Sequence, residues 1–216
     1  DFTRWRNPIG ARRVSSGTSP RSPLPVKSSK NSLFPFVFTK HRSALMGEAT
    51  SRDVTREAGV SAGLVHHYFE TFDDLLATAF EEVADADVQR VREELATIDD
   101  PVARLDRLIE VFAPEGDDWQ YQVWLDVWSV AARHPTLLRA AQHSNAEWQR
   151  LMADLFRDGV ASGAFHCPDA EAAAWRVLAL LDGMAIQTVA QQTTMPRALL
   201  HGWVRDAARA EAGLPA

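Results

Sequence analysis

The stretch TSRDVTREAGVSAGLVHHYFETFDDLL, residues 50–76, constrains the fold of this chain more than any other feature. Thr50 with Asp53 three residues later forms a capping box for a helix over about 51–58. Gly59 ends that helix in the left-handed conformation that suits a residue without a side chain. Ser61 is an N-cap for a second short helix, over about 62–68. Thr71 and Asp74 repeat the capping signature and open a long helix to about residue 96. Two short helices around a tight turn are the device that holds a recognition helix in a major groove. They also suit a purely structural hairpin.

On the groove-binding geometry, Ala62, Gly63 and Leu64 follow the Ser61 cap and face base edges, their small or apolar side chains letting the backbone come close. His66, His67 and Tyr68 reach phosphates. Thr50, Ser51 and Arg52 lie at the first helix's N-terminus, where backbone donors suit an anion. Adjacent on a helix, His66 and His67 point apart and make a poor metal pair, so neither a metal nor a cofactor is expected.

Helix signals continue without strand signals. Asp100-Pro101 starts a helix ending near Pro114, and a segment over 117–133 is stopped by His134-Pro135. A long helix runs from Thr136 to about Ser162, closed by Gly163. Asp169 opens an apolar helix to about Gln192, and Pro196 opens the last, to about Ala210. The apolar run 172–190 is broken by Arg176, Asp182 and Gln187, which predicts a buried helix rather than a membrane span. Its residues form two stripes, Val177, Leu178, Leu181, Met184, Ala185 and Val189 on one side and Trp175, Ala179 and Ile186 on another. A helix needing cover on two sides suits a bundle that dimerises. The expected fold is all-α, a small N-terminal helix-turn-helix subdomain on a larger helical bundle for ligand binding and dimerisation. The divisions expected are an arm over 1–31, a DNA-binding domain over 32–80 with an atypical first helix, and a ligand-binding and dimerisation domain over 81–212.

Charge is divided sharply. Residues 1–45 hold nine Lys/Arg against Asp1 alone, and their Ser/Pro-rich part, over 1–31, reads as a disordered basic arm. Between Met46 and Phe80, Arg52 and Arg56 face six acidic residues. Since non-specific DNA affinity comes from phosphate neutralisation, the arm is the natural source of the charge that this head lacks. The single Cys167 excludes an internal disulfide framework and fits a reducing compartment, and the absence of a signal-peptide pattern agrees with a cytoplasmic protein. Neither G-x-S-x-G nor H-E-x-x-H occurs, and Cys167 directly follows His166, so no enzyme is expected.

Thr50, Asp53, Val54, Ala58, Gly59, Val60, Ser61, Gly63, His67, Tyr68, Phe69 and Leu75 match the pattern T-x-x-D-I-A-x-x-A-G-V-S-x-G-x-L-Y-x-Y-F-x-S-K-E-x-L. The stretch resembles the DNA-binding domain of TetR-family transcriptional regulators. WLDVWSVAARHPTLLRAAQHSNAEWQRLMADLFRDGVASGAF, AAAWRVLALLDGMAIQTVA and the Asp182-Gly183-Met184 triplet resemble the choline/betaine-pathway repressor branch. The resemblance implies a homodimer on a double-stranded DNA operator, released when a small-molecule effector binds the body and respaces the heads. Three departures stand out: Phe72 where the family has Lys, His66 where an aromatic is usual, and Pro35 inside the expected first helix, where it costs about 3 kcal/mol. Two origins stay open for that region: a shortened helix over about 36–46, or a displaced start or frame change in a chain that begins at Asp1.

Trp119, Tyr121, Trp124, Trp128 and Trp148 crowd one part of the sequence. Rings between bundle helices either fill the core or line a pocket for an apolar ligand or an ammonium group, and the branch resemblance suggests a quaternary ammonium. Two functions follow: a ligand-responsive repressor, or a small-molecule-binding dimer whose DNA-binding head is impaired by its N-terminus.

Overall fold

The computed structural model describes residues 52, 55, 56, 61–112, 119–192 and 194–215, with the backbone alone at 62, 64, 119 and 120. The Thr50–Asp53 box, the Gly59 turn, Pro35 and the basic arm all lie outside the described residues. Arg52, Thr55 and Arg56 have helical backbone, and Thr55 Oγ1 donates to the Arg52 carbonyl at 3.0 Å.

Helix α1, Ala62–Tyr68, and helix α2, Phe72–Ala96, fall where the caps place them. The Thr71 backbone N–H donates to the Asp74 carboxylate at 3.1 Å, and the Asp74 N–H donates back to Thr71 Oγ1 at 3.1 Å. That reciprocal pair satisfies two of the donors a helix start leaves open, and each such cap is worth about 1 kcal/mol. Helix α3, Pro101–Val111, is capped by Asp100, which accepts from Ala103 N at 3.0 Å. It ends at a Phe112 cap, earlier than the Pro114 stop in the sequence suggests.

Helix α4, Trp119–Ala131, is shorter than expected at its C-terminal end, because Arg133 and His134 fold back in a turn onto the Val130 and Ala131 carbonyls. Helix α5, Pro135–Ala161, has Pro at its first position and is closed by Gly163 at φ +78°. Helix α6, Ala170–Ala185, is capped by Asp169 and widens into a π-helical turn, Ile186–Ala190, so the regular α-helix stops short of Gln192. Helix α7, Arg197–Glu211, closes the described chain. No strand occurs among the described residues.

Helix α5 is the axis. Leu137, Ala140, Ala141, Ser144, Trp148, Leu151, Met152, Leu155 and Phe156 are buried along it at helical spacing, against α2 on one side and α6 on another. Helix α7 packs on α6 and α3, with Arg209 paired to Asp106 at 2.9 Å and Arg176 paired to Glu211.

Two hydrophobic cores result. One gathers Val65 of α1 with Leu75, Leu76, Ala79 and Phe80 of α2, Val123 and Val127 of α4, and Leu137, Ala140 and Ala141 of α5. The other runs from Val88 through α3, lower α5, α6 and α7. The 80/81 division expected between head and body therefore falls inside one continuous helix, and the first core spans it. Trp124 packs against both cores.

The two stripes of α6 separate cleanly. Val177, Leu178, Leu181, Met184 and Ala185 are buried, whereas Trp175, Ala179 and Ile186 are exposed. The expectation of a buried helix is thus corrected: α6 with its π turn is buried on one side only. By length and composition alone Ala170–Ala190 could cross a membrane, yet its inner stripe is part of the core.

Candidate functional site

Two places carry the sequence-predicted residues. At the first, α1 presents Ser61, Gly63, His66 and His67 to solvent, with Tyr68 half-buried. Val65 is the buried residue that anchors the helix to the α2 core. Ala62 and Leu64 are on the same helix by backbone, and Arg52 is exposed on helical backbone nearby in sequence. Thr50 and Ser51 lie outside the described residues. A Cβ built on Gly63 meets nothing within 4 Å, so this position is open space. The His67 and Tyr68 rings stand edge to face at 5.0 Å.

The acidic character of this head is partly spent internally. The Asp74 carboxylate accepts from Thr71 N and, at 2.8 Å, from Thr71 Oγ1. Asp73 pairs with His134 Nδ1 at 2.6 Å, tying the start of α2 to the turn before α5. Phe72, where a Lys is the family habit, is half-buried and packs against the first core, so it adds anchoring where a Lys adds charge.

The second place is a cavity of about 50 Å³, partly open to solvent, between α2, the end of α3, α4, α5 and α6. Tyr121, Trp124, Trp128 and Trp148 all line it, so four of the five rings singled out from sequence come together. Trp119 starts α4, and its side chain lies outside the described set. The rings form a linked wall. Trp124 and Trp128, four apart on α4, have centroids 5.8 Å apart. Phe80 meets Trp124 edge to face at 5.1 Å, and Phe112 meets Trp148 at 4.8 Å. Trp148 is buried core as well as wall, whereas Trp128 is only half-buried. The choice between core and pocket is therefore not exclusive for these rings.

Sequence reasoning missed the polar lining: Asp182 of α6, Asp87 and Arg90 of α2, and Asn145 of α5. Arg90 is already held by Asp87 at 2.6 Å and Glu94 at 3.4 Å, which cancels its charge. Asp182 is different. Burial alone pushes its carboxyl up to about 6, with no hydrogen bond or ion pair among the described residues to hold the charged form down. The signal was in the sequence, since Asp182 interrupts the inner stripe of an apolar helix between Leu181 and Ala185. A carboxylate without a partner, in a cavity that four aromatic rings also line, is a setting that favours a bound cation.

Among the described residues, no group of three His, Cys, Asp or Glu side chains converges as a metal site. Cys167 is half-buried, and burial pushes its thiol up, away from the thiolate form that reacts.

Comparison with known proteins adds to this geometry. The family model for the C-terminal domain of BetI-type transcriptional repressors matches residues 101–213. The HTH-type transcriptional regulator BetI of Pseudomonas aeruginosa PAO1 is 30% identical over 146 residues, covering 64% of this chain and 70% of that protein. BetI of Escherichia coli O45:K1 strain S88 is 26% identical over 167 residues, covering 74% of this chain and 82% of its own length. A transcriptional regulator from Saccharomonospora viridis, solved in complex with choline, superposes with a TM-score of 0.68 at 25% identity, over 82% of this chain and 92% of that one. A TetR-family regulator from Rhodococcus sp. shares the fold at a TM-score of 0.72 and 19% identity, over 85% and 98%.

Proposed function

This chain belongs to the TetR family, in the branch of BetI-type repressors, and from that premise we propose that the aromatic cavity is its effector site and takes a quaternary ammonium ion. That the protein is a ligand-responsive, DNA-binding repressor follows from its family. The effector class rests on one observation: the unpartnered Asp182 carboxyl faces the same cavity as Tyr121, Trp124, Trp128 and Trp148. Ring faces attract an alkylated ammonium, and Asp182 supplies the compensating charge. Arg90, neutralised by Asp87 and Glu94, offers no competing positive field. The choline bound by the related Saccharomonospora regulator is an ion of this class.

DNA is engaged by α1, through Ser61, Ala62, Gly63 and Leu64 at base edges and His66, His67 and Tyr68 at phosphates, with Thr50, Ser51 and Arg52 supporting the approach. The basic stretch over 1–45 supplies further phosphate contacts. Two copies pair through α6 and α7, where Trp175, Leu180 and Ile186, with Leu199 and Trp203, leave large apolar side chains in solvent. An uncovered apolar face of this kind marks an interaction surface, and a two-fold dimer is typical of the family.

Titration calorimetry with choline and with its neutral carbon isostere 3,3-dimethylbutanol tests the effector reading. Choline binds and releases operator DNA in a gel-shift assay, and the isostere binds at least about tenfold more weakly, given cation–π terms of 0.5–2 kcal/mol plus the carboxylate. Equal affinity for the two sinks the ammonium assignment.

A further inference from the structure

The effector cavity has a neighbour. A second cleft of about 310 Å³ opens between α2 and α4, lined by Phe80, Val83, Ala84, Ala86 and Val123. It shares Asp87, Arg90, Trp124 and Trp148 with the first, so the two spaces meet at these four residues. The inner lobe holds the unpartnered carboxyl, whereas the outer lobe beyond the shared residues is lined by apolar side chains. The cleft reaches the lower end of the volumes that hold drug-sized ligands, whereas the inner cavity suits no more than a small headgroup, so a trimethylammonium head alone leaves the outer lobe unused.

We propose that the ligand class is a cationic amphiphile, with its ammonium head against Asp182 and the rings and its alkyl tail in the α2–α4 cleft along Phe80 and Val83. The proposal rests on the ammonium reading of the inner lobe and extends it. Charge and polarity fix the orientation. Carboxyl groups stand at the inner lobe and the neck, and a hydrocarbon tail gains only where apolar walls replace water. The tail has a further consequence. A ligand confined to the inner lobe touches α2 at Asp87 and Arg90, whereas a tailed one also presses Phe80, a member of the core that anchors Val65 of α1. Tail length then sets how strongly binding disturbs the DNA-binding head, as well as how tightly the ligand binds.

The test is a series of tetramethyl-, butyltrimethyl-, hexyltrimethyl- and octyltrimethylammonium salts, kept below micelle formation and titrated into the full-length protein by calorimetry. Affinity is expected to climb by up to about fourfold per methylene placed in the cleft, and operator release to climb with it. Val83→Trp, which fills the cleft, flattens the series and leaves tetramethylammonium affinity unchanged. Ala86→Leu, at an exposed position on the rim, reduces the slope without a risk to the core. A flat series on a protein that binds tetramethylammonium overturns the tail lobe alone. A slope that survives both variants places the tail elsewhere and overturns it too. Failure of tetramethylammonium to bind removes the ammonium reading and this extension with it.

Discussion

Helix α2 runs from the proposed reading head at one end to the proposed effector cavity at the other, and the two ends are built by opposite physics. Near its start the proposed DNA-binding surface is α1, an exposed helix held by Val65 and carrying Gly63 in open space. Nearby charges are consumed by local bonds, with Asp74 in the capping box and Asp73 on His134. Fourteen to seventeen residues after Asp73, Asp87 and Arg90 wall a cavity whose proposed function depends on packed rings and on one carboxyl with no partner among the described residues. On the proposed assignment, function at the head is largely separable from stability, because Gly63 and His66 are exposed while Val65 anchors the helix. Function at the cavity is not, because its walls are also the core.

The largest expected effect is at the head. Gly63→Glu puts an anion and bulk at the groove-facing start of α1, and operator binding falls by more than about 100-fold, a loss of about 3 kcal/mol or more. Since a Cβ added at Gly63 meets nothing within 4 Å and the position is exposed, the melting temperature and the dimer are expected to stay as they were. Gel shift beside thermal denaturation reads both. Unchanged operator affinity removes α1 from the DNA interface, and a large drop in melting temperature breaks the separation drawn between the two ends.

At the cavity, two tryptophans on one wall divide the comparison further. Trp148 is 4% exposed and packs against Phe112, so Trp148→Ala leaves a void costing about 3–5 kcal/mol and lowers the melting temperature first. Half-buried Trp128 gives up less packing. Trp128→Ala weakens a quaternary ammonium by about 3- to 30-fold while ligand-free operator binding survives. If Trp128→Ala melts much earlier and binds the ion normally once folded, its ring is packing and leaves the effector site.

The difference in physics also explains what could be read from the sequence. The head's elements were legible because capping is local. Thr71 and Asp74 lie three apart, and the α1 and α2 boundaries follow from such short-range chemistry. The ring cluster was legible in part, since Trp124 and Trp128 share a helical face wherever that helix packs. The polar lining was not, because Asp87, Asn145 and Asp182 come from three helices that meet only in the tertiary fold. Nor was the late course of α6, where the backbone widens into a π turn that no side-chain period announces.

The smallest effect is expected at Asp182, and it carries two opposite signs. Its carboxyl is raised to about 6 in the folded protein from an ordinary value of 3.8. The unfolded chain loses that proton first, so this group makes folding less favourable as pH rises from about 4 to 6, and the deficit then stays constant. Asp182→Asn removes the deficit. The variant melts higher than the parent above pH 6, the gap narrows between pH 6 and 4, and it vanishes below. Binding a cation has the reverse demand, because only the carboxylate offers a countercharge. Quaternary ammonium affinity of the parent therefore falls as pH drops through 6, by about tenfold in all, with up to about half a proton released on binding near pH 5.5. Asp182→Asn binds the ion about tenfold more weakly at pH 7.5 and shows no such pH dependence. Calorimetry in two buffers of different ionisation enthalpy counts the proton, and a thermal scan across pH reads the stability side. A variant that gains stability while losing cation affinity marks Asp182 as a residue retained for binding at the expense of the fold. One that loses both makes it part of the structural core, and the cavity then has no countercharge for the ion.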